Sequence, residues 1–503
     1  LTLSEACNIL APEAIVQIPR FQGTDMSNQT RREFLRSASI VTASMGAVSV
    51  LQGCASVGPA RGGKARKPNI IFILADDLGY GDLGCFGQQI VQTPNIDKLA
   101  SQGMRLTDHY AGSTVCAPSR CCLMTGLHTG HTLIRGNANV PLRPEDLTVP
   151  ELLKKAGYTT GIIGKWGLGE AESTGIPNKQ GFDYWFGYLN QRHAHNYYPE
   201  FLWRNEQKVP LEGNQLTTPD EGGWGVSIKK VTYSGDLFAA EALQFVERNK
   251  DNRFFLYLAF TIPHANNEAG SKGMEVPDFG PYADKDWPEP QKGHAAMITR
   301  MDGDIGRLMA KLKELGIDEK TFVMFSSDNG PHKEGGGDPA FFSSSGPLRG
   351  YKRDLYEGGI RVPTIARWPG RIKPGSTSGH VSAFWDFLPT ACDLAGVKAP
   401  EGIDGVSILP ALLDEPRRQK KHDYLYWEFH EQGKKQAVRW GDWKGVRLNV
   451  AKDPNGPIEL YNLKTDLGET TDLADKYPDV VAKIAQIIKT ARTPSENWPI
   501  PGE

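Results

Sequence analysis

The sequence predicts an α/β fold, a large mainly parallel sheet sandwiched by helices, with a small antiparallel sheet and a packed helix added towards the carboxyl end. Three observations carry this expectation. Short apolar, β-branched runs at 69–75, 159–163, 254–260, 321–325 and 364–367 read as strands buried on both faces. Patterns with helical spacing lie between them, at 95–102, 150–156, 237–249, 294–315 and 383–395, and such alternation is the mark of a parallel sheet covered by helices. Finally, four of the strands run directly into polar residues: Asp76-Asp77, Lys165, His264, and Asp328-Asn329. Ligands of open α/β sheets bind at the carboxyl ends of the strands, so these residues are expected to converge on one rim.

Taken in chain order, the first segments read as address rather than fold. Arg31-Arg32 precede a mild apolar run over 38–51 that is followed by Gly53-Cys54, which resembles a bacterial twin-arginine export signal ending in a lipoprotein-like box. The run is shorter than the about 20 apolar residues a membrane span needs. Lipidation at Cys54 and cleavage nearby to release a soluble periplasmic protein are both open. Met26 lies just before the arginines, so residues 1–25 are expected to be a misassigned start, 26–55 the signal and 56–67 a flexible Gly-, Ala- and Lys-rich linker. The expected location is the periplasm or cell surface of a bacterium, with membrane contact only through a lipid at Cys54.

A catalytic domain is expected over 68–400. With 39% hydrophobic residues the chain can bury a large core, and 57 Lys plus Arg against 59 Asp plus Glu leave no global field to recruit nucleic acid. Any selectivity for anions must therefore be local. Seven cysteines in a chain of this length do not make a disulfide scaffold. Beyond residue 400 the texture becomes aromatic and alternating, at 424–429 and 437–448 with a turn at Gly441-Asp442, and a helical run spans 480–490. These elements define a second subdomain over 401–503.

The rim residues have a chemistry of their own. Asp76, Asp77, Asp328 and Asn329 offer three carboxylates and an amide oxygen, a set suited to a hard cation such as Ca²⁺ or Mg²⁺. Pro118 suits the first turn of a helix starting beside Cys116, and a helix amino terminus favours anions. Cys116-Ala117-Pro118-Ser119-Arg120, followed by Leu123-Met124-Thr125-Gly126, resembles the motif that formylglycine-generating enzymes modify. With the rim residues in the same order, the chain resembles the type I, formylglycine-dependent sulfatases of the alkaline-phosphatase-like superfamily, from Pro68 to the carboxyl end.

The resemblance implies a sulfuric ester hydrolase of the arylsulfatase type acting on a sulfated carbohydrate. Cys116 is converted to formylglycine by a maturation enzyme, and one Ca²⁺ is held by Asp76, Asp77, Asp328 and Asn329 with residue 116 alongside. It implies catalytic roles for Cys116, for Arg120 against the aldehyde hydrate and a carboxylate, for Lys165 and Lys352 on sulfate oxygens, for His264 on a sulfate oxygen or, with Lys352 as the alternative, at the leaving alcohol, and for Asp328 as acceptor of the nucleophile's proton. Many relatives carry a histidine two residues after the lysine that Lys165 matches, where this chain has Gly167. His195, or less favourably His193, is the candidate replacement. His128, His131, Arg135, Arg192, His332, Lys333 and Arg353, with the aromatic rings of Trp185, Tyr188, Tyr197, Tyr198 and Trp224, are candidates for the sugar pocket. The competing readings are a formylglycine phosphodiesterase or phosphonate hydrolase on the same scaffold, and a catalytically silent protein that binds sulfated glycans.

Overall fold

In the computed structural model, which describes residues 67–218 and 222–502, every predicted apolar run becomes a strand. The expectations for 1–25, 26–55 and 56–66, Cys54 included, lie outside the described residues. Strands β1 (Asn69–Asp76), β2 (Met104–Leu106), β3 (Thr159–Lys165), β4 (Tyr184–Tyr188), β5 (Phe201–Arg204), β6 (Gln207–Pro210), β7 (Phe254–Pro263), β8 (Thr321–Ser327), β9 (Thr364–Arg367) and β10 (Ser376–Ser378) form one sheet. Their order is β10-β2-β9-β8-β1-β7-β3-β4-β5-β6. The central set β8-β1-β7-β3-β4 is parallel, with Ile70 beside Phe255 and Phe322, and Leu256 beside Gly161.

The sequence places the run at 364–367 in the parallel set, yet β9 lies antiparallel to β8, with Val323 opposite Arg367. The chain leaving β8 stays at that strand's carboxyl end through loops and a single helical turn at Glu357–Ile360, and a strand entered from that end must run back. Strands β2, β4, β5, β6 and β10 were not expected. Most are short, and the β5–β6 edge hairpin, turning at Asn205-Glu206, carries an apolar run of only Phe201-Leu202-Trp203.

The pleat sends alternate residues to opposite faces. Ile71, Ile73 and Ala75 of β1 join a core that includes buried residues of α1 (Pro94–Ser101), while Ile70, Phe72 and Leu74 face α2 (Cys116–Thr125) and α3 (Val149–Lys155). Helices α4 (Ser234–Arg248) and α5 (Glu289–Glu314) complete the first layer, and α6 (Phe387–Ala395) the second. The fold is therefore a three-layer sandwich, and both faces of the central strands are dry.

Strands β11 (Leu425–Phe429), β12 (Lys435–Trp440), β13 (Trp443–Arg447) and β14 (Ile458–Asn462) form the antiparallel sheet, turning at Gly441-Asp442 as expected. On one face Ile484 and Ile487 of α7 (Pro478–Thr490) pack against Tyr426, Val438 and Leu460. The other face places Trp427, Ala437 and Val446 in one core with Tyr110, Val115 and Leu355. A buried ion pair spans the same junction, with Lys444 Nζ 2.8 Å from Glu357 Oε1 and both side chains fully inaccessible. Burial alone would raise the Glu357 carboxyl, but Lys444, Arg361 and Arg439 outweigh it and hold it at about 2. Lys444→Met leaves that charge short of a partner, and a loss of about 3–5 kcal/mol in urea unfolding is expected. A double change, Lys444→Met with Glu357→Gln, should recover part of it.

Candidate active site

Because β8, β1, β7 and β3 are parallel neighbours, their carboxyl ends bring Asp328-Asn329, Asp76-Asp77, His264 and Lys165 side by side. All six side chains are buried. Asp77 leaves β1 with φ 66°, a left-handed turn, and its backbone N–H donates to Asp328 Oδ1 at 3.1 Å. Just before Lys165, Gly164 has φ 109°, and a Cβ there would lie 1.8 Å from the Ala259 carbonyl oxygen, so only glycine lets β3 close on β7 at this point. Helix α2 begins at Cys116 after extended Val115, with Pro118 in its first turn. Asn137 Oδ1 accepts from the Ala117 N–H at 3.1 Å, satisfying one amide of that turn.

Single ligand atoms of Asp76, Asp77, Cys116 and His264 all lie within 4.8 Å of one another. Around them each of the acids Asp76, Asp77 and Asp328 has a basic partner. Lys165 Nζ donates to Asp76 Oδ2 at 2.7 Å and Lys352 Nζ to Asp77 Oδ2 at 2.8 Å. Arg120 donates through Nε and Nη2 to Asp328 Oδ2 at 3.1 and 2.8 Å, and its Nη2 lies 3.4 Å from Asp76 Oδ2. Burial would raise Asp76 and Asp77, but the surrounding basic groups, led by Lys165 at the first and Lys352 at the second, together offset it and hold both below the usual carboxylate range. Asp328 goes the other way, raised by burial and by the charge of Asp76 despite Arg120. Two buried oxygens, Asp76 Oδ1 and Asn329 Oδ1, have no hydrogen-bond donor. Unsatisfied acceptors beside three carboxylates are what a hard cation would complete, so this oxygen set fits Ca²⁺.

His264 closes the other side. Its Nδ1 lies 2.7 Å from the Ala265 carbonyl and its Nε2 3.0 Å from Lys352 Nζ, so Nδ1 carries the proton and Nε2 accepts from the ammonium. Burial, then the Lys352 charge, push it down to about 3, leaving the ring neutral. Burial also pushes the Cys116 thiol up to about 12, so the unmodified residue is protonated at neutral pH and a weak nucleophile. A cavity of about 220 Å³ opens onto these groups, lined by Cys116, His264, Lys352, Asn137, Gln191, His195 and Arg353 among others.

The comparisons with known proteins now bear on this geometry. The model described as "Sulfatase" matches residues 68–397, and "N-sulphoglucosamine sulphohydrolase, C-terminal" matches 350–493. Human arylsulfatase A is 32% identical over 84% of this chain and 87% of its own length. The chain belongs to the sulfatase family. Rat N-acetylgalactosamine-6-sulfatase is 29% identical over 86% of this chain and 87% of its own. Among solved structures, Ps i-CgsB in complex with k-i-k-neocarrahexaose superposes with TM-score 0.72 at 27% identity, covering 87% of this chain and 96% of that one. The protein is a sulfuric ester hydrolase of alkaline-phosphatase-like fold.

Each residue expected at the site of this sulfatase has a definite place. Asp76, Asp77, Cys116, Arg120, Lys165, His264, Asp328, Asn329 and Lys352 are brought together, and His195 lines the cavity with its ring stacked on His264 at 4.8 Å. His193 is instead buried, with Nε2 3.1 Å from the Phe201 carbonyl. At Gly167 a Cβ would lie 2.1 Å from Gln191 Nε2, so the Gln191 amide occupies the space beside that position.

The sugar-pocket candidates divide. Arg192 and Arg353 line the cavity, whereas His128 and His131 pair with Asp404, and Arg135 with Glu428 and Thr493. His332 holds the Pro263 carbonyl, and Lys333 lies over the Tyr351 ring. Trp185, Tyr188, Tyr197 and Tyr198 are core residues with at most 5% exposure, so they offer no stacking face. Their rings fill the layers beside β4, where burial is worth more than display. Residues not foreseen are Glu334, 2.9 Å from Lys352 Nζ, Glu268, 3.1 Å from His195 Nδ1, and Gln191. No local motif marks them, since each acquires its role only by folding against a residue distant in sequence.

Proposed function

We propose that the chain removes sulfate from a sulfated saccharide outside the cytoplasm, with residue 116 matured to formylglycine and Ca²⁺ held by Asp76, Asp77, Asp328 and Asn329. The observation that carries this reading is the convergence within 4.8 Å of Asp76, Asp77, Cys116 and His264, flanked by two buried lysines. A saccharide substrate is supported by the relative named for N-acetylgalactosamine 6-sulfate hydrolysis and by the neocarrahexaose held by a structural neighbour. Export rests on the paired arginines at 31 and 32 and the apolar run after them. A formylglycine-generating enzyme would then be the maturation partner.

The cation, when bound, would neutralise the clustered carboxylates and attract a sulfate oxygen. The hydrated aldehyde would supply one hydroxyl for attack at sulfur and a second whose proton loss releases sulfate. The chain's own residues do the rest. Lys165 and Lys352, fixed by Asp76 and Asp77, present ammonium groups to the charge that develops on the sulfate oxygens. Arg120 ties Asp76 to Asp328 and holds both carboxylates in place. Lys352 is kept protonated by Asp77 and Glu334, which outweigh its burial. His264 is neutral with its lone pair on Nε2, so the proton for the leaving alcohol comes from Lys352, and His264 orients that ammonium. His195, with Nδ1–H donated to Glu268, keeps Nε2 free to accept a proton from the nucleophile's side of the cavity.

Two measurements test the proposal together. Enzyme produced with its maturation partner should hydrolyse an aryl sulfate at least 100-fold faster than the matching aryl phosphodiester. The tryptic peptide holding residue 116 should also be lighter than its thiol form. A preference for the phosphodiester would favour a phosphonate or phosphodiester hydrolase. An unmodified thiol with no turnover would favour a silent glycan-binding protein.

A further inference from the structure

The turn that carries Lys352 belongs to no helix or strand, and its backbone is strained. Arg353, the next residue, has φ 76°, a left-handed conformation that side chains adopt only where their surroundings impose it. The catalytic domain fixes the amide side of this turn, with the Lys352 N–H donating to the Pro331 carbonyl at 2.8 Å and the Arg353 N–H to the Thr114 carbonyl at 3.2 Å. The other side is held by the C-terminal sheet. Lys435, the first residue of β12, donates through Nζ to the Arg353 carbonyl at 2.8 Å and lies 3.3 Å from Asp354 Oδ1. Glu431, in the turn between β11 and β12, accepts from Arg353 Nε at 3.2 Å.

These contacts differ from an exposed ion pair, which contributes little. The Lys435 side chain is only 11% exposed, and its closest acceptor is the main-chain carbonyl one residue from Lys352. They are not needed to attach the subdomain, because Trp427, Ala437 and Val446 already share a core with Tyr110, Val115 and Leu355, and Lys444 pairs with Glu357. The β11–β12 turn is itself unusual: Gln432, Gly433 and Lys434 are all left-handed, at φ 52°, 86° and 59°. It leaves Glu431 and Lys435 on the same target, Arg353. From there an ion-pair chain continues inward. Arg353 Nη1 donates to Glu334 Oε1, and Glu334 Oε2 accepts from Lys352 Nζ at 2.9 Å. Main chain and side chain of Arg353 thus both connect the C-terminal sheet to the Lys352 ammonium.

We propose that Lys435 and Glu431 are positioning residues for the reaction: by holding the 352–354 turn they aim the Lys352 ammonium at the oxygen of the departing alcohol. This role depends on the reading above, in which Lys352 supplies the proton. As the S–O bond to the alcohol breaks, its electron pair stays on the alcohol oxygen, which takes a proton from Lys352 Nζ. The amine regains a proton from water once the alcohol has left. A misplaced ammonium costs most when the leaving group is poor, because a nitrophenolate departs without a proton. The C-terminal subdomain is then part of the catalytic apparatus, although neither residue lines the catalytic cavity.

Measuring kcat/KM, which reports the steps through alcohol release, for 4-nitrophenyl and 4-methylphenyl sulfate tests this role. Lys435→Met should lower the value for the methylphenyl ester by about tenfold or more and that for the nitrophenyl ester by about threefold at most. Lys435→Arg keeps a donor at the Arg353 carbonyl and should recover most of the loss. Glu431→Ala alters a side chain that is 37% exposed, so it carries the test if the Lys435→Met protein fails to fold. It should shift the ratio of the two esters in the same direction by a smaller factor. Lys352→Met should show the same selectivity more strongly. Equal losses for both esters, or none, in Lys435→Met and Glu431→Ala would overturn the positioning role. Equal losses in Lys352→Met would instead remove Lys352 as the proton source, and the positioning role with it, while leaving the sulfatase reading intact. Absence of aryl sulfate turnover by formylglycine-bearing enzyme would overturn both.

Discussion

Cys116→Ala is expected to lower kcat/KM for an aryl sulfate by about 10⁴-fold or more without unfolding the protein, because it removes the group that the proposed mechanism uses to attack sulfur. The side chain is small and seated at the first turn of a fully buried helix, so alanine fits the same space. Near-UV circular dichroism should match that of the unaltered enzyme. Cys116→Ser is the more informative change. A serine oxygen could attack sulfur, forming a new S–O bond as the alcohol departs, but it has no second hydroxyl whose proton loss would break that bond. Incubation with substrate should therefore release at most one alcohol per enzyme and leave a protein heavier by one sulfo group. Multiple turnovers by that variant at the rate of the unaltered enzyme would remove residue 116 from the mechanism.

The second large effect is expected at the oxygen cluster. Asp77→Ala removes a carboxylate that faces Lys352, Asn329 and the Cys116 end of the helix. It should abolish stoichiometric calcium, measured by atomic emission on the desalted protein, and lower kcat/KM by about 10³-fold, the scale of losing a principal source of transition-state charge stabilisation. On the proposed reading a calcium ion would relieve the burial of Asp76, Asp77 and Asp328 beside two unsatisfied oxygens. Stability should therefore rise on adding calcium, by roughly 2.7 kcal/mol at one hundred times its Kd. Asp77→Ala should lose that calcium dependence. A melting temperature indifferent to calcium in the unaltered protein would argue against the proposed cation.

Much of the rim was legible because it depends on strand order only weakly. A buried parallel strand announces itself as an apolar run, and a polar residue at its carboxyl end must emerge at the sheet's edge whichever neighbours it has. Asp76, Lys165, His264 and Asp328 were accessible to that reasoning. Lys352 was not a strand ending, and only the family resemblance pointed to it. Glu334 and Glu268 escaped because an acid in a loop has no sequence mark distinguishing it from a solvated charge. The aromatic residues near 185–198 were misread for a related reason. A tyrosine or tryptophan pattern is the same whether the ring faces a ligand or a core.

Local pattern is enough to show that apolar strands alternate with helices, that acids and cations stand at the strands' carboxyl ends, and that Cys116 opens a helix. These are matters of local period and local chemistry. The adjacency of β8, β1, β7 and β3, which converts four separate endings into one site, emerges only on folding. Folding also pairs Lys165 with Asp76, Lys352 with Asp77 and Arg120 with Asp328, and it reverses β9. Those outcomes depend on contacts between residues far apart in the chain, whose energies are set by burial and distance, and neither quantity exists until the layers have packed.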